Sequence, residues 1–235
     1  MLVSHRYNFI YTKTHKTAST SVEVYFEPFC VPVGQWSMQH ARDECISKAG
    51  IVGARGDDTS GSRWENHMTA KEIKNQLSQD IWDSYFKFCT VRNPFGKVVS
   101  EFYHNRKTHL ENGDIFRRNF EKISKRIRHV NSILKIQFEV WLRSGRFRTS
   151  REQYFLDGEC CVDEFIQFED IKGGIERVCE AKGIPFQEER IPHLKNRSQG
   201  RPDISEHYNE RSKKIVEKAF EYEIDRFAYS FPHGE

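Results

Sequence analysis

The apolar positions of this 235-residue chain change period several times, first near residue 13. Tyr7 to Lys13 is rich in aromatic and β-branched residues and predicts a short strand. After it, apolar residues recur at the i, i+3, i+4, i+7 spacing of one helix face, at Val22, Tyr25, Phe26 and Phe29. Ser19, Thr20 and Ser21 are candidate N-cap residues, and Pro28 limits the helix. The pattern predicts a strand, a tight loop and a helix.

The same order of elements recurs around residue 90. Phe86 to Val91 predicts a buried strand. Asn93 followed by Pro94 indicates a helix start, because proline suits the first helical position. The apolar stripe of that helix consists of Phe95, Val98, Val99 and Phe102.

Turn signals separate further elements along the chain. More helices are predicted from caps, apolar spacing and a terminating glycine, over Ala41–Lys48, Ala70–Leu77, Ile171–Lys182 and the segment after Ser205. A strand is predicted around Phe165, behind the turn signal Asp157-Gly158. Because strands alternate with helices, the pattern predicts an α/β fold with a parallel sheet and helices on both faces.

Composition narrows the class of protein. The net charge is only +3, so the whole chain is not a polycation, and 30% charged residues with a mean hydropathy of −0.74 indicate a soluble protein without a membrane span. Because a strand is predicted so close to the first residue, we expect no signal peptide before it. The six cysteines show no CxxC pair and no zinc spacing. We therefore expect thiols in a reducing compartment and a cytoplasmic location.

The loop between the first strand and its helix has the chemistry of an anion site. Backbone N–H groups and the positive end of the helix dipole meet there. Its cations and hydroxyls are Lys13, His15, Lys16, Thr17, Ser19, Thr20 and Ser21. The loop has no glycine and is not a Walker A motif. The other interpretation is an ordinary basic loop that caps a helix.

Arg92 and Ser100 form a second candidate anion site. Arg92 sits at the C-terminal end of a predicted strand, where α/β folds place ligand groups. An arginine fork and a serine hydroxyl can together hold a phosphate. The alternative is an arginine that pairs with a neighbouring carboxylate.

Together these stretches resemble the paired motifs of the PAPS-dependent sulfotransferases. The resemblance is to the carbohydrate-type branch, with the heparan and chondroitin sulfotransferases and their bacterial relatives. It rests on Lys-Thr-Ala-Ser-Thr-Ser at 16–21 and Val-Arg-Asn-Pro-Phe-x-x-x-Val-Ser at 91–100. Three later segments are also similar to family patterns, at Phe165–Asp170, His193–Ser198 and Glu223–Phe231.

The resemblance implies a P-loop-like three-layer α/β/α sandwich with a central, mostly parallel sheet and a helical insertion. It implies one sulfotransferase-like domain over 1–235, with core motifs at 7–29, 85–103, 161–183 and 193–231 and acceptor-binding insertions at 30–66 and 104–157. The chain departs from the family at Lys97, where arginine is usual. We also expect no membrane anchor of the kind that the Golgi members carry.

The resemblance implies roles for residues that bind the sulfonyl donor. The 5′-phosphosulfate is bound by Lys16, Ala18, Ser19, Thr20 and Ser21. The 3′-phosphate is bound by Arg92 and Ser100. We add four residues to this donor-binding set, namely Lys13, Thr17, Asn196 and Arg201.

The implied reaction is metal-independent, in-line transfer of a sulfonyl group from PAPS to a hydroxyl acceptor, a carbohydrate or a small alcohol, with PAP as product. Lys16 stabilises the leaving phosphate, and His67 is the candidate general base, with His15, His104 and a carboxylate as competitors.

A basic stretch at 117–128 indicates an anionic acceptor or a solvated helix face. A nucleotide-dependent phosphotransferase and a non-catalytic polyanion-binding protein stay open as alternatives. We expect no nucleic-acid partner.

Overall fold

The structure is a computed structural model that describes residues 1–56, 59, 61–111, 130–192 and 203–232. Side chains are described for the same residues except 106–111 and 130–133. Backbone contacts divide the chain into two compact units, Met1–Val91 with Ser150–Asn196 and Arg92–Thr149 with Arg197–Glu235. The single domain expected over 1–235 stays a prediction.

The strands are short, and most lie in the first 100 residues. They are β1 Leu2–Ser4, β2 Phe9–Thr12, β3 Cys45–Ser47, β4 Gly50–Val52, β5 Phe86–Val91, β6 Phe155–Leu156, β7 Glu159–Cys160 and β8 Glu164–Gln167. The helices are α1 Ser19–Phe26, α2 Ala70–Gln76, α3 Gln79–Ser84, α4 Pro94–Glu111, α5 Val130–Arg143, α6 Ile171–Lys182, α7 Glu210–Ala219 and α8 Glu221–Phe227. A 3₁₀ turn at Arg151–Gln153 precedes β6.

Six strands of the first unit form one sheet in the order β3-β4-β1-β2-β5-β8. The strands β2, β5 and β8 run parallel, with Tyr11 opposite Phe88 and Thr90 opposite Ile166. β1 pairs antiparallel with β2 and with β4, and β3 pairs antiparallel with β4, so the sheet is mixed. The parallel strands are the ones that lead into the sequence motifs. The predicted α/β fold is confirmed.

Helices cover both faces of this sheet. On one face, α1 and α6 enclose a core that contains Tyr25 and Phe88. On the other face, Ile73 of α2 and Trp82 of α3 pack with Ile10 of β2. The first unit therefore has the three layers that the alternation of elements predicts.

The second unit is helical. Its core contains Phe95 and Phe102 of α4, Phe138 of α5, Val216 of α7 and Phe220. No helix in the described part of the chain has the length and apolar character needed to cross a membrane.

Several predicted elements occur where the sequence places them. Phe86–Val91 and Ile171–Lys182 have the predicted bounds. Thr69 caps α2 as predicted, in a capping box. Ser205 is wrong as the cap of the next helix, because it lies in a 3₁₀ turn and Asn209 caps α7.

The predicted helix over Ala41–Lys48 is also wrong, because this segment contributes β3 to the edge of the sheet. The chain returns into β4 at Gly50, whose φ is 155°. A Cβ on Gly50 would lie 2.1 Å from the carbonyl oxygen of Val3. The close approach of β4 to β1 therefore requires glycine.

Gly50→Ala should lower the free energy of unfolding by more than about 2 kcal/mol, because the added Cβ overlaps a backbone oxygen. Gly34→Ala is the matched control. Gly34 also has a positive φ, of 79°, but none of the described atoms lies within 4 Å of its added Cβ. Gly34→Ala should therefore lower the free energy of unfolding only by the cost of a left-handed backbone, about 1 kcal/mol. Urea unfolding measures both losses, and equal losses would contradict the close contact.

Candidate active site

Residues 13–18 connect β2 to α1 and turn the chain through left-handed residues. Lys16 has a φ of 61° and Ala18 a φ of 56°. A non-glycine residue in this region costs free energy and persists only where surrounding contacts fix it. Ala18 is the N-cap residue, so α1 begins directly after this left-handed pair.

Three buried threonine hydroxyls hold the loop against β5. Thr14 Oγ1 lies 2.8 Å from Thr17 Oγ1 and 3.0 Å from Thr90 Oγ1, and Thr17 Oγ1 lies 2.7 Å from Thr90 Oγ1. Thr14 also donates to the carbonyl oxygen of Thr90 at 2.6 Å. All three residues are at most 1% exposed. Polar contacts shielded from solvent therefore fix the loop to the sheet.

The first turn of α1 has no side-chain cap. The predicted caps Ser19, Thr20 and Ser21 are wrong, because all three lie inside the helix. The Ser19 hydroxyl donates instead to the carbonyl oxygen of Thr14 at 2.7 Å. Four other helices are capped by side chains, α2 by Thr69, α3 by Ser78, α6 by Asp170 and α7 by Asn209, whereas α8 also has no side-chain cap. The uncapped start of α1 is suited to an anion.

His67 lies against this loop. Its Nδ1 is 3.0 Å from the carbonyl oxygen of Lys13. Its ring stacks on His15, with centroids 3.8 Å apart and planes at 18°. Because a carbonyl oxygen only accepts hydrogen bonds, Nδ1 of neutral His67 carries the hydrogen and Nε2 keeps the lone pair. The structure therefore brings both histidines and the uncapped loop together.

The environment of His67 disfavours its charged form. Burial, followed by the charges of His15 and Lys13, lowers the pKa of His67 from 6.5 to about 2. The ring is therefore neutral near pH 7 and can accept a proton at Nε2. A base with so low a pKa is weak, but a negative charge bound beside it would raise the pKa.

Lys13 does not have the role predicted for it. The residue is 1% exposed, and its Nζ binds Glu23 Oε2 at 2.7 Å. Arg55 binds the same oxygen at 2.7 Å and Glu27 Oε1 at 2.6 Å. Lys13 is thus part of a buried ion network. We correct its assignment from binding the sulfonyl donor to anchoring the loop.

Glu23 is the centre of this network. Burial alone would raise the pKa of Glu23, but the charges of Lys13, Arg42 and Arg55 outweigh it and hold the pKa well below its usual range. Removing one partner of a buried ion pair is costly, because it leaves an uncompensated buried charge. The network therefore ties α1 to the start of the loop.

In the second unit, Arg92 precedes α4 and Ser100 lies within it. Nε and Nη2 of Arg92 lie 3.4 Å and 3.5 Å from the point that a Cβ on Gly96 would occupy. The guanidinium therefore rests over Gly96. Gly96 and Ser100 are four residues apart and so lie on the same helix face. That Arg92 and Ser100 act together on a phosphate stays a prediction.

The remaining predicted residues differ in exposure. The partly exposed ones on the loop are Lys16, Ala18 and Thr20, and the buried ones are Thr17 and Ser21. The competitor His104 is exposed in the second unit. Outside the described residues lie Asn196, Arg201 and the basic stretch 117–128.

Sequence reasoning missed the residues that hold the loop and the histidines in place. Thr14 and Thr90 form the hydroxyl network, and Ser150 and Gln153 contact the backbone of the stacked histidines. Thr90 carried a signal, because a polar residue within a buried strand needs a partner. The others belong to no motif, and their partners are distant in sequence.

The loop, the uncapped helix and the neutral histidine lie at the carboxyl end of a parallel strand, where α/β proteins place ligand sites. A family model described as "Sulfotransferase family" matches residues 1–230. The chain therefore belongs to the sulfotransferase family, and the predicted family is confirmed. No curated protein and no solved structure matches the chain.

The lowered pKa of His67 predicts that acid destabilises the protein. The folded protein resists protonation of His67, whereas the unfolded chain takes up that proton near pH 6.5. As far as it depends on His67, the free energy of unfolding therefore has its full value above pH 6.5 and falls progressively as the pH falls below it. We expect the free energy of unfolding to fall less between about pH 7.5 and 5 in His67→Asn than in the wild type.

Urea unfolding at the two pH values measures this difference. Asparagine is chosen because it tolerates the φ of 60° at position 67. His40→Asn, at an exposed histidine, is the control and should keep the wild-type pH dependence. If His67→Asn and the wild type lose equal stability, His67 is not held neutral by its surroundings.

Proposed function

We propose that this sulfotransferase takes its sulfonyl group from PAPS and transfers it to a hydroxyl acceptor. The observation that carries the proposal is the start of α1, which has no side-chain cap and follows the left-handed pair Lys16 and Ala18. A phosphosulfate is the kind of anion that a helix N-terminus binds through its backbone N–H groups. The family motif at 16–21 supports the same assignment.

Lys16 and the N–H groups of Ser19 and Thr20 act on the leaving group in this proposal. Negative charge grows on the 5′-phosphate as its bond to sulfur breaks, and donors already in place stabilise that charge. The threonine network supports this role, because it fixes the loop before the sulfonyl donor binds. Loss of one such donor typically costs about 10²–10³-fold in kcat.

His67 is the proposed general base. The acceptor oxygen attacks sulfur, its proton passes to Nε2 of His67, and the electron pair of the breaking S–O bond stays with the phosphate of PAP. The bound phosphosulfate places negative charge beside the ring and raises its pKa from about 2 toward the range of an effective base. His15, stacked on His67, is the competing candidate.

Arg92 and Ser100 are proposed to bind the 3′-phosphate. A guanidinium and a hydroxyl on one helix face can donate several hydrogen bonds to a phosphate. Asn196 and Arg201 are proposed for the same donor from the sequence alone. Lys13 is not among the residues that we propose to bind the sulfonyl donor, because its ammonium group is bound to Glu23.

The proposed acceptor is a carbohydrate or a small alcohol, and the basic stretch at 117–128 favours an anionic carbohydrate. Family membership favours this reaction over nucleotide-dependent phosphotransfer. A neutral histidine beside the uncapped loop favours catalysis over simple polyanion binding, because charge-driven binding gains nothing from an uncharged base.

PAP should raise the melting temperature of the protein, because a ligand that binds only the folded state stabilises it by mass action. Arg92→Ala should remove most of this shift, because the arginine fork to the phosphate is lost. Thermal shift and calorimetric titration with PAP, both in EDTA, are the measurements. A requirement for added Mg²⁺ would favour the phosphotransferase alternative.

Arg146→Ala is the matched control, because it removes one positive charge from an exposed position of the same unit. It should leave the PAP shift unchanged. Wild-type PAP affinity in folded Arg92→Ala would show that the 3′-phosphate is bound elsewhere.

His67→Asn should lower turnover at least about a hundredfold while PAP affinity stays near normal, because a positioned base contributes about 10²–10⁴ in rate. Lys16→Asn should lower both turnover and PAP affinity, because Lys16 acts on the phosphosulfate itself. Asparagine suits both left-handed positions. Turnover is measured with labelled PAPS and a panel of hydroxyl acceptors.

Lys71→Asn, at an exposed lysine of the same unit, controls for the loss of a positive charge. It should keep wild-type turnover and PAP affinity. If His67→Asn keeps more than about a tenth of wild-type turnover, which is a smaller loss than a general base gives, the base is His15, His104 or a carboxylate.

A further inference from the structure

The backbone of His67 is held in an unfavourable conformation. Its φ of 60° is left-handed, which a histidine adopts only where other contacts fix it. The ring contributes two of these contacts, the hydrogen bond to the carbonyl oxygen of Lys13 and the stack on His15. Neither of them holds the backbone of His67 directly.

The backbone contact comes from Gln153. Its Nε2 donates to the carbonyl oxygen of His67 at 3.1 Å. Gln153 is only 4% exposed, so its amide has left water to make this contact. A buried side-chain amide is costly unless it is hydrogen-bonded. The bond therefore fixes the peptide that sets the direction of the His67 ring.

The same turn also holds His15. The Oγ of Ser150 accepts a hydrogen bond from the backbone N–H of His15 at 3.1 Å. Ser150 is 7% exposed and is itself left-handed, with a φ of 66°. The N–H of Gln153 donates to the carbonyl oxygen of Ser150 at 3.3 Å, which closes the turn. One short turn thus contacts the backbone of both stacked histidines.

We infer that the turn Ser150–Gln153 is a positioning element for the two histidines, with Gln153 setting the backbone of His67 and Ser150 that of His15. The inference rests on the proposed function only in taking His67 as the base. The turn keeps Nδ1 of His67 on the carbonyl oxygen of Lys13, so that Nε2 keeps the lone pair. Gln153 is a positioning residue, because it acts on the acceptor through His67.

The test replaces Gln153 by a side chain of similar size without a donor, in Gln153→Met. The ¹⁵N shifts of histidine-labelled protein report the tautomer of His67, and His67→Asn assigns its signals. The wild type should show one tautomer, with hydrogen on Nδ1. In Gln153→Met we expect a mixture of both tautomers. Turnover should fall at least about tenfold, because misplacing a reacting group by about 1 Å costs up to about 10² in rate.

PAP affinity should stay within about twofold of the wild type in Gln153→Met, because only an interaction of the transition state is lost. Gln79→Met makes the same substitution at an exposed glutamine of the same unit, outside the turn, and should change neither tautomer nor turnover. Ser150→Gly removes the acceptor of His15 while glycine keeps the left-handed backbone. It should also mix the tautomers of His67, and it decides the question if Gln153→Met does not fold.

A single wild-type tautomer of His67 in folded Gln153→Met, or in Ser150→Gly if only that variant folds, would overturn the inference. The tautomer measurement needs no acceptor and no turnover. It therefore decides the positioning role even if His67→Asn shows that His67 is not the base. In that case the proposed mechanism fails and the positioning of the ring is still measured.

Discussion

The contacts among the hydroxyls of Thr14, Thr17 and Thr90 are the interaction on which the loop depends. The loop contains no glycine, yet it turns through two left-handed residues, and the free energy this costs must be offset by contacts outside the backbone. Buried hydroxyls bonded to β5 provide them. Because these hydroxyls bind one another, none of them caps α1. The contacts that fix the loop thus leave the helix start suited to an anion.

Lys13 connects this loop to two other systems. Its carbonyl oxygen binds Nδ1 of His67, and its ammonium binds the buried carboxylate of Glu23. The ion network around Glu23 includes Arg55 and therefore extends to the segment that follows β4. The position of the candidate base is therefore coupled to a buried charge network, and not only to the residues beside it. Rigid support of this kind is what a catalytic group needs.

The sequence predicted the parts of the fold that local pattern decides. Phe86–Val91 and Ile171–Lys182 have strong apolar patterns, and their bounds were predicted correctly. β3 was missed, because a three-residue edge strand has too few residues to show alternation. The sequence pointed to the loop and to His67, which lie together in the structure, and their roles stay predictions. Lys13 was assigned wrongly, because its partner Glu23 is set by tertiary structure, and Gln153 was missed for the same reason.

We propose that the uncapped start of α1 binds the phosphate end of PAPS. Amide ¹H–¹⁵N shifts during a titration with PAP test it most directly. We expect saturable shifts at Lys16 to Thr20. The first turn of α6, which Asp170 caps with its side chain, should show none. If PAP binds while the signals of Lys16 to Thr20 do not move, the anion is bound elsewhere and the claim is wrong.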